Sequence, residues 1–163
     1  MLKSAEEVIK QLKLELHPEK GYFRQVLTER YPKDIANGLI SWQTFEDTDR
    51  VDGRSRSTCI YYLLEKDVVS HWHRVTDAVE IWHYYAGAPL QLSLSWDDGK
   101  PVRKEVLGPD VFNDQHPQVI VEKNEWQRAQ SLGDWTLVGC TVAPGFIPDV
   151  FVMAEPGWEP KES

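Results

Sequence analysis

Apolar and polar residues alternate along most of this chain, in short runs that are separated by turn residues. The breaks between runs hold pairs such as Asp98-Gly99 and Gly108-Pro109, which suit tight turns. Short strands at regular spacing predict an antiparallel β-sandwich or barrel. The predicted strands recur roughly every ten residues and cover 22–29, 58–64, 68–75, 79–85, 90–96, 102–107, 118–122, 125–129, 136–143 and 149–154.

One segment near the start has helical spacing instead. Ser4 and Glu7 form a capping box, and an apolar stripe follows at Val8, Ile9 and Leu12. The pattern predicts a helix over about 5–13. Pro18 and Gly21 then favour a turn, so the helix ends before them.

The length of 163 residues fits a single domain. We predict one domain over 1–155, with its barrel over about 22–154 and a flexible tail over 156–163. Residues 32–56 are mostly polar and contain two glycines, which predicts a long loop around a short apolar piece at 39–45.

Charge and cysteine content narrow the class of partner. The chain has 18 Lys and Arg against 26 Asp and Glu, a net charge of -8, which argues against binding duplex nucleic acid. Cys59 and Cys140 form no Cys-x-x-Cys pair, which fits a reducing compartment. Because no apolar leader and no run long enough to span a bilayer stand out, we expect a cytoplasmic protein with no membrane partner.

Two neighbouring predicted strands carry the strongest candidates for chemistry. His71 and His73 share one face of their strand, and Glu80, Trp82 and Tyr84 share one face of the next. If these faces meet inside a barrel, two imidazoles and a carboxylate converge. His71, His73 and Glu80 would then suit a divalent metal such as Zn, Ni, Mn or Fe. The cluster equally suits metal-free proton transfer, with His73 as the base and Glu80 setting its tautomer.

This cluster resembles the first motif of the cupin superfamily, Gly-x5-His-x-His-x(3,4)-Glu-x6-Gly. The positions of His71, His73, Glu80 and Gly87 match that motif. The chain departs from it because no Gly precedes the histidines at the expected place and six residues separate His73 from Glu80.

The second cupin motif, Gly-x5-Pro-x-Gly-x2-His-x3-Asn, is best matched around residues 122–127. Asn124 takes the place of the turn glycine, which Asn can do because it tolerates the left-handed conformation. Gln127 stands where metal-binding cupins have their last His. The resemblance therefore implies that any metal would have Gln127 as a weak fourth ligand.

An ordered set of motifs resembles one branch of this superfamily, the cupin type-5 family, long catalogued as a domain of unknown function. The resemblance spans residues 14–154 and implies an all-β fold, a single jelly-roll barrel with a short N-terminal helix, close to the dTDP-sugar 3,5-epimerases. Lys20 departs from it, since the family often has a second Gly there. The matching motifs are His17-Pro18-Glu19-x-Gly21-Tyr22-Phe23-Arg24, Ile60-Tyr61-Tyr62-Leu63-Leu64, Ser70-His71-Trp72-His73-Arg74, Glu80-x-Trp82-His83-x-Tyr85-x-Gly87, Trp126-Gln127 and Val142-Ala143-Pro144-Gly145-Phe146.

An epimerase-like site needs an acid across the substrate from the His base, and a tyrosine is suited to that role. A three-residue turn at 65–67 places Tyr61 opposite His71, whereas a two-residue turn places Tyr62 there; we assign Tyr61 and keep Tyr62 as the alternative. Arg24 is the candidate holder of a phosphate. The rings of Trp82, Tyr84 and Trp126 can stack a nucleobase or sugar, and these three are predicted to bind the ligand. The remaining predicted ligand-binding residues are His71 and Gln127.

The leading prediction is a barrel pocket for a nucleotide or nucleotide-sugar, with isomerase or epimerase activity. A non-catalytic ligand-binding or storage-type cupin is the alternative from another class. A metal-dependent cupin, either a dioxygenase or a sugar-phosphate isomerase, is the third.

We also expect a C₂ homodimer, because a jelly roll exposes sheet edges and this chain carries outward-facing rings such as Tyr85. In that dimer the strand over 22–29 joins or packs against the sheet of the partner.

Overall fold

The computed structural model describes residues 3–28, 42–43 and 54–161. The predicted capping box is present, since Ser4 accepts a hydrogen bond from the Glu7 backbone and the Glu7 side chain accepts one from the Ser4 backbone. The described elements, in chain order, are α1 (Ala5–Leu12), β1 (Glu15–Leu16), β2 (Tyr22–Thr28), β3 (Trp42–Gln43), β4 (Thr58–Glu65), β5 (His73–Val75), β6 (Val79–Gly87), β7 (Leu90–Ser95), β8 (Arg103–Leu107), β9 (Gln115–His116), β10 (Gln118–Val121), β11 (Trp126–Ser131), β12 (Trp135–Ala143), a 3₁₀ turn (Pro148–Val150) and β13 (Phe151–Met153).

The strands form two sheets, and this confirms the predicted all-β jelly roll. One sheet has the order β1-β2-β4-β12-β6-β10, with β3 beside β2, and the other has the order β13-β5-β11-β7-β8-β9. Pairing is antiparallel except between β2 and β3 and between β8 and β9. Neighbouring strands such as β4 and β12 are far apart in the sequence, so the sheet joins distant parts of the chain.

The main core lies between the two sheets. On β4 the inward side chains are Tyr62 and Leu64, and on β6 the largest is Trp82, which is 1% exposed. Helix α1 covers part of the outer face of the first sheet, where Leu63 and Leu137 pack against it. The alternation along each strand therefore supplies an inner core and a smaller outer one.

The structure differs from the predicted strand over 68–75, because regular pairing starts only at His73. Ser70 and His71 donate backbone hydrogen bonds instead to Ala129 and Glu19. The predicted loop over 32–56 falls largely outside the described residues. Asn124 has a φ of 70°, as its comparison with a turn glycine predicts.

The predicted tail packs on the barrel as far as the structure describes it. The ring of Trp158 lies 4.5 Å from that of Trp126 and 6.1 Å from that of Trp72, measured between centroids. Glu159 accepts a hydrogen bond of 2.9 Å from Nε1 of Trp72. Residues 156–161 therefore contact two tryptophans on the outer face of the second sheet, and the flexibility of the tail stays a prediction.

Among the described residues, no helix combines the length and the apolar character needed to cross a bilayer. Strand β2 pairs with β1, β3 and β4 of its own chain. The homodimer through this strand stays a prediction.

Candidate functional site

A cavity of about 460 Å³ opens between the two sheets. Its walls come from the turn after helix α1, from strands β4, β5, β6 and β12, and from the C-terminal segment around β13. Among the residues that the structure describes, no lysine or arginine lines it; the described lining residues are His17, Pro18, Glu19, Phe23, Thr58, Ile60, His73, Val75, Glu80, Cys140, Val142, Phe146, Pro148, Phe151 and Met153.

His73 is the buried imidazole of this cavity and is 3% exposed. Its Nδ1 contacts the Glu19 carboxylate and lies 3.0 Å from the backbone oxygen of His71. Its ring packs against Phe151, with 5.3 Å between the centroids. Burial alone would lower the pKa of His73, but the charge and hydrogen bond of Glu19, together with the charge of Glu80, raise it to about 9.

The turn after helix α1 carries Glu19 into the barrel. Lys20 and Gly21 have φ values of 80° and 76°, and this left-handed pair reverses the chain. Tyr62 donates a hydrogen bond of 2.7 Å to the backbone oxygen of Lys20, and His71 donates its backbone N–H to that of Glu19 at 3.1 Å. The position of the carboxylate is therefore set by backbone contacts on both sides.

His17 stands on the other side of the same carboxylate. Its Nδ1 is 3.4 Å from Oε1 of Glu19, and its ring makes T-shaped contacts with the rings of Phe23 and Tyr62. Burial lowers the pKa of His17. The charge of Glu19 raises this pKa, and the charge of His73 lowers it further, so that the pKa lies below its ordinary value. At neutral pH the site therefore holds one imidazolium, His73, and one neutral imidazole.

Glu80 is the second carboxylate of the cavity and is 7% exposed. Gln127 donates to it from Nε2 at 2.5 Å, while Nε1 of Trp82 donates to Oε1 of Gln127 at 2.8 Å. An indole N–H can only donate, so Trp82 fixes the Gln127 amide with its NH₂ group toward Glu80. Burial raises the pKa of Glu80, whereas the charge of His73 and the hydrogen bond from Gln127 lower it; burial is the larger effect.

Cys140 places a thiol in the wall of the cavity. Burial raises its pKa well above the ordinary value, and the charges of Glu80 and Glu19 add to the rise. It therefore stays protonated, and an uncharged thiol is a weak nucleophile.

The family model described as "Cupin superfamily (DUF985)" matches residues 6–154. The chain belongs to this family. A protein of Shewanella oneidensis is similar over 94% of this chain and 86% of its own, at 30% identity and a TM-score of 0.74. A hypothetical protein from Leishmania major is similar over 92% and 86%, at 27% identity and a TM-score of 0.73.

A more distant similarity supports the fold alone. The capsular polysaccharide assembling protein CapF from Staphylococcus aureus is 10% identical over 87% of this cupin and 34% of its own chain, with a TM-score of 0.57. No protein with a curated description matches this cupin.

The structure brings together three of the predicted site residues of this cupin: His73 and Glu80 line the cavity, and Gln127 holds Glu80. His71 lies before strand β5 and outside the cavity lining, beside Trp72. Tyr61 lies on the outer face of β4, near helix α1, and its ring contacts Tyr85 at 5.9 Å. Tyr62, the alternative, points into the barrel core.

The remaining predicted ligand contacts lie away from the cavity lining. Trp82 belongs to the core, and Tyr84 packs against that core and donates its hydroxyl to the backbone oxygen of Gly87 at 2.6 Å. Trp126 lies on the outer face, where the guanidinium of Arg74 sits 4.4 Å from its ring centroid. Arg24 is exposed and donates to the backbone oxygen of Leu12 at 3.1 Å.

The donor set fits a metal poorly. Within residues 3–28, 42–43 and 54–161, no three side chains of His, Cys, Asp or Glu are arranged to hold a metal ion. His71 is outside the cavity, and the Nδ1 of His73 already faces Glu19. The predicted set of His71, His73 and Glu80 is therefore not assembled as metal ligands.

Sequence reasoning missed two residues of this site, Glu19 and His17. Both lie in the His17-Pro18-Glu19 motif, which carried the family resemblance but was interpreted only as a turn. An acidic residue and a histidine beside a proline and a glycine are a signal for a fixed turn that presents side chains. The strand that receives them is far along the chain, so spacing alone does not identify their partner.

Proposed function

We propose that the barrel cavity binds a small phosphate-free organic molecule and moves a proton on it, as an isomerase does. The observation that carries this proposal is the pair of carboxylates in one apolar cavity, Glu19 against His73 and Glu80 against Gln127. Neighbouring ionisable groups with different environments are typical of acid–base sites.

The roles follow from the protonation states. With its pKa raised to about 9, His73 is protonated at neutral pH, so it serves as the acid and not as the base that the sequence suggested. Glu80, whose carboxylate accepts a hydrogen bond from Gln127, serves as the base in its ionised form. Glu19 and His71 occupy the Nδ1 side of His73, so the Nε2 proton is the one available to a ligand.

The proposed step balances as follows. The Glu80 carboxylate removes a proton from a carbon next to a carbonyl group, and the C–H electrons move toward the carbonyl oxygen. That oxygen takes the Nε2 proton of His73, which gives an enol. With a 2-hydroxy carbonyl compound this enol is an enediol. Glu80 then gives its proton to the carbon that carried the carbonyl group, and the hydroxyl group on the neighbouring carbon gives its proton to His73 and becomes the new carbonyl group, which completes an isomerisation.

A nucleotide or nucleotide-sugar, predicted from the resemblance, needs a cation for its phosphates. The described part of the cavity lining contains neither lysine nor arginine, and Arg24 is exposed elsewhere. The likeness to CapF concerns the fold. The lining therefore favours a phosphate-free sugar or hydroxy ketone over a nucleotide.

Solvent deuterium incorporation tests the proposal. The protein is incubated in D₂O with a panel of aldoses, ketoses and hydroxy ketones, and exchange at carbon is followed by proton NMR. We expect exchange with wild type, loss in His73→Asn and Glu80→Gln, and full activity in His116→Asn, a control histidine whose side chain is exposed. Binding without exchange would support the non-catalytic alternative.

A further inference from the structure

We infer that the ligand of this cavity carries a cationic nitrogen, placed at Glu80, on an apolar body that packs against phenylalanine rings. The inference rests on the proposed binding of a small molecule in the cavity and not on the proton transfer, because an ammonium group at Glu80 occupies the proposed base. It gives the chemical class of a ligand that the cavity holds without reaction.

The charges that face the cavity do not cancel. Within the part of the chain that the structure describes, the ionisable residues that line the cavity are His17, Glu19, His73, Glu80 and Cys140. Glu19 is paired with the His73 imidazolium, while His17 and the Cys140 thiol are neutral at pH 7. Among the described residues, no Lys, Arg or His nitrogen forms an ion pair with Glu80. One negative charge is thus left for a ligand to balance.

An ionised carboxylate without an ion pair is costly at this depth. Glu80 is 7% exposed, and its side-chain donors, the amide of Gln127 and the thiol of Cys140, are both neutral. Burial accordingly raises the pKa of Glu80, so in the free protein a proton competes with a ligand cation for the Glu80 carboxylate. A ligand ammonium group can replace that proton and form a charge-assisted hydrogen bond.

The rest of the wall suits an apolar body. Phe146 and Phe151 meet edge to face with 5.8 Å between their centroids, and Phe23 also lines the cavity, with its ring against that of His17. Aromatic faces attract cations as well as apolar groups. A volume of about 460 Å³ is in the range of small-molecule pockets.

Calorimetry with three compounds of matched shape tests the inference: 2-phenylethylamine, 2-phenylethanol and 3-phenylpropionate, which are cationic, neutral and anionic at pH 7. We expect the amine to bind at least about tenfold more tightly than the alcohol, and the carboxylate to bind most weakly. Glu80→Gln should abolish the preference for the amine while the alcohol still binds. Glu122→Gln, an exposed position with the same change of charge, should keep it.

The outcomes separate this inference from the proposed function. Equal or tighter binding of the alcohol or the carboxylate to wild type would overturn the cationic ligand but leave a small-molecule site. A preference for the amine that survives Glu80→Gln would also overturn it. Absence of binding by all three would overturn the cationic ligand, whereas the proposed function would still be decided by deuterium exchange with the sugars and hydroxy ketones. The wild-type series decides the matter even if Glu80→Gln fails to fold.

Discussion

The Glu19 carboxylate contacts Nδ1 of His73 and thereby joins the turn after helix α1 to strand β5 inside the barrel. The contact keeps an imidazole that is 3% exposed in its charged form. A buried charge that is paired in this way stabilises the fold only while both partners are ionised. The stability of the protein and the chemistry of its cavity therefore depend on the same pair.

The first prediction concerns stability against pH. The pKa of His73 is raised from 6.5 to about 9, so the stabilisation is complete below pH 6.5 and is lost as the pH rises through about 9. The free energy of unfolding in urea should fall by on the order of 2 kcal/mol over this range. Burial raises the pKa of Glu80, and this also favours the folded state at lower pH.

Glu19→Gln should flatten this dependence, whereas Glu122→Gln, with the same change of charge at an exposed position, should retain it. The raised pKa of Cys140 adds to the fall in stability above about pH 8.5, where the thiol of the unfolded chain ionises, and this part is common to wild type and both variants. The raised pKa of Tyr62 acts above about pH 10. Stability that is constant or rises between pH 6.5 and 9 in wild type would contradict the ionised pair.

The second prediction concerns the turn that carries Glu19. A Cβ on Gly21 would lie 2.7 Å from the backbone oxygen of Leu63, at a φ of +76°. Gly21→Ala should lower the free energy of unfolding by about 2 kcal/mol or more. Gly99→Ala is the matched control, because Gly99 also has a positive φ but its Cβ would meet nothing within 4 Å. Equal losses in the two variants would show that the close approach to Leu63 has no energetic effect.

The alternation of apolar residues predicted most of the strands, because two facing sheets require every second residue to be buried. The predicted strand over 68–75 is the exception. Backbone groups of Ser70 and His71 find partners on Ala129 and Glu19, outside regular pairing with β5's neighbours. This shift takes His71 away from the face of His73, so the expected pair of imidazoles does not form.

The sequence predicted the part of the site that lies within the two cupin-like motifs. His73, Glu80 and Gln127 come from the two cupin-like motifs, and their strands are neighbours in the structure or face each other. The choice between Tyr61 and Tyr62 depended on the turn at 65–67, where Asp67 adopts a φ of 63° and Tyr62 is the inward residue. Glu19 reaches His73 by a long-range contact that no local pattern encodes.

The third prediction concerns Arg54, which is 7% exposed. It donates to both oxygens of Asp77, at 2.7 and 3.1 Å, and to the backbone oxygen of Gly145. These contacts tie the hairpin between His73 and Glu80 to the segment that brings Phe146 to the cavity. Arg54→Met should lower the free energy of unfolding by about 2 kcal/mol, because it removes a buried donor from the backbone oxygen of Gly145 and the ion pair with the half-exposed Asp77.

Arg24→Met is the control for Arg54, since Arg24 is exposed and donates to one backbone oxygen. Its loss should stay below about 1 kcal/mol in the same urea titration. If the two variants unfold at the same urea concentration, Arg54 does not hold these segments together.

The fourth prediction concerns the C-terminal segment. Trp158 covers Trp72 and Trp126, so Trp158→Ala should lower the free energy of unfolding by about 2 kcal/mol. Phe112→Ala removes a ring that is 95% exposed and should change it by less than about 0.5 kcal/mol. If the Trp158 variant is as stable as the Phe112 variant, the C-terminal segment does not stabilise the barrel, as expected for a flexible tail.

The central claim is that Glu19 holds His73 as an acid within the cavity, and NMR titration of the His73 ring tests it most directly. The ring signals are assigned by their loss in His73→Asn and followed from pH 5 to 11 in wild type and in Glu19→Gln. We predict a pKa of about 9 in wild type and a fall of more than about one unit in the variant. A wild-type pKa at or below 6.5, or one that Glu19→Gln leaves unchanged, would contradict the claim.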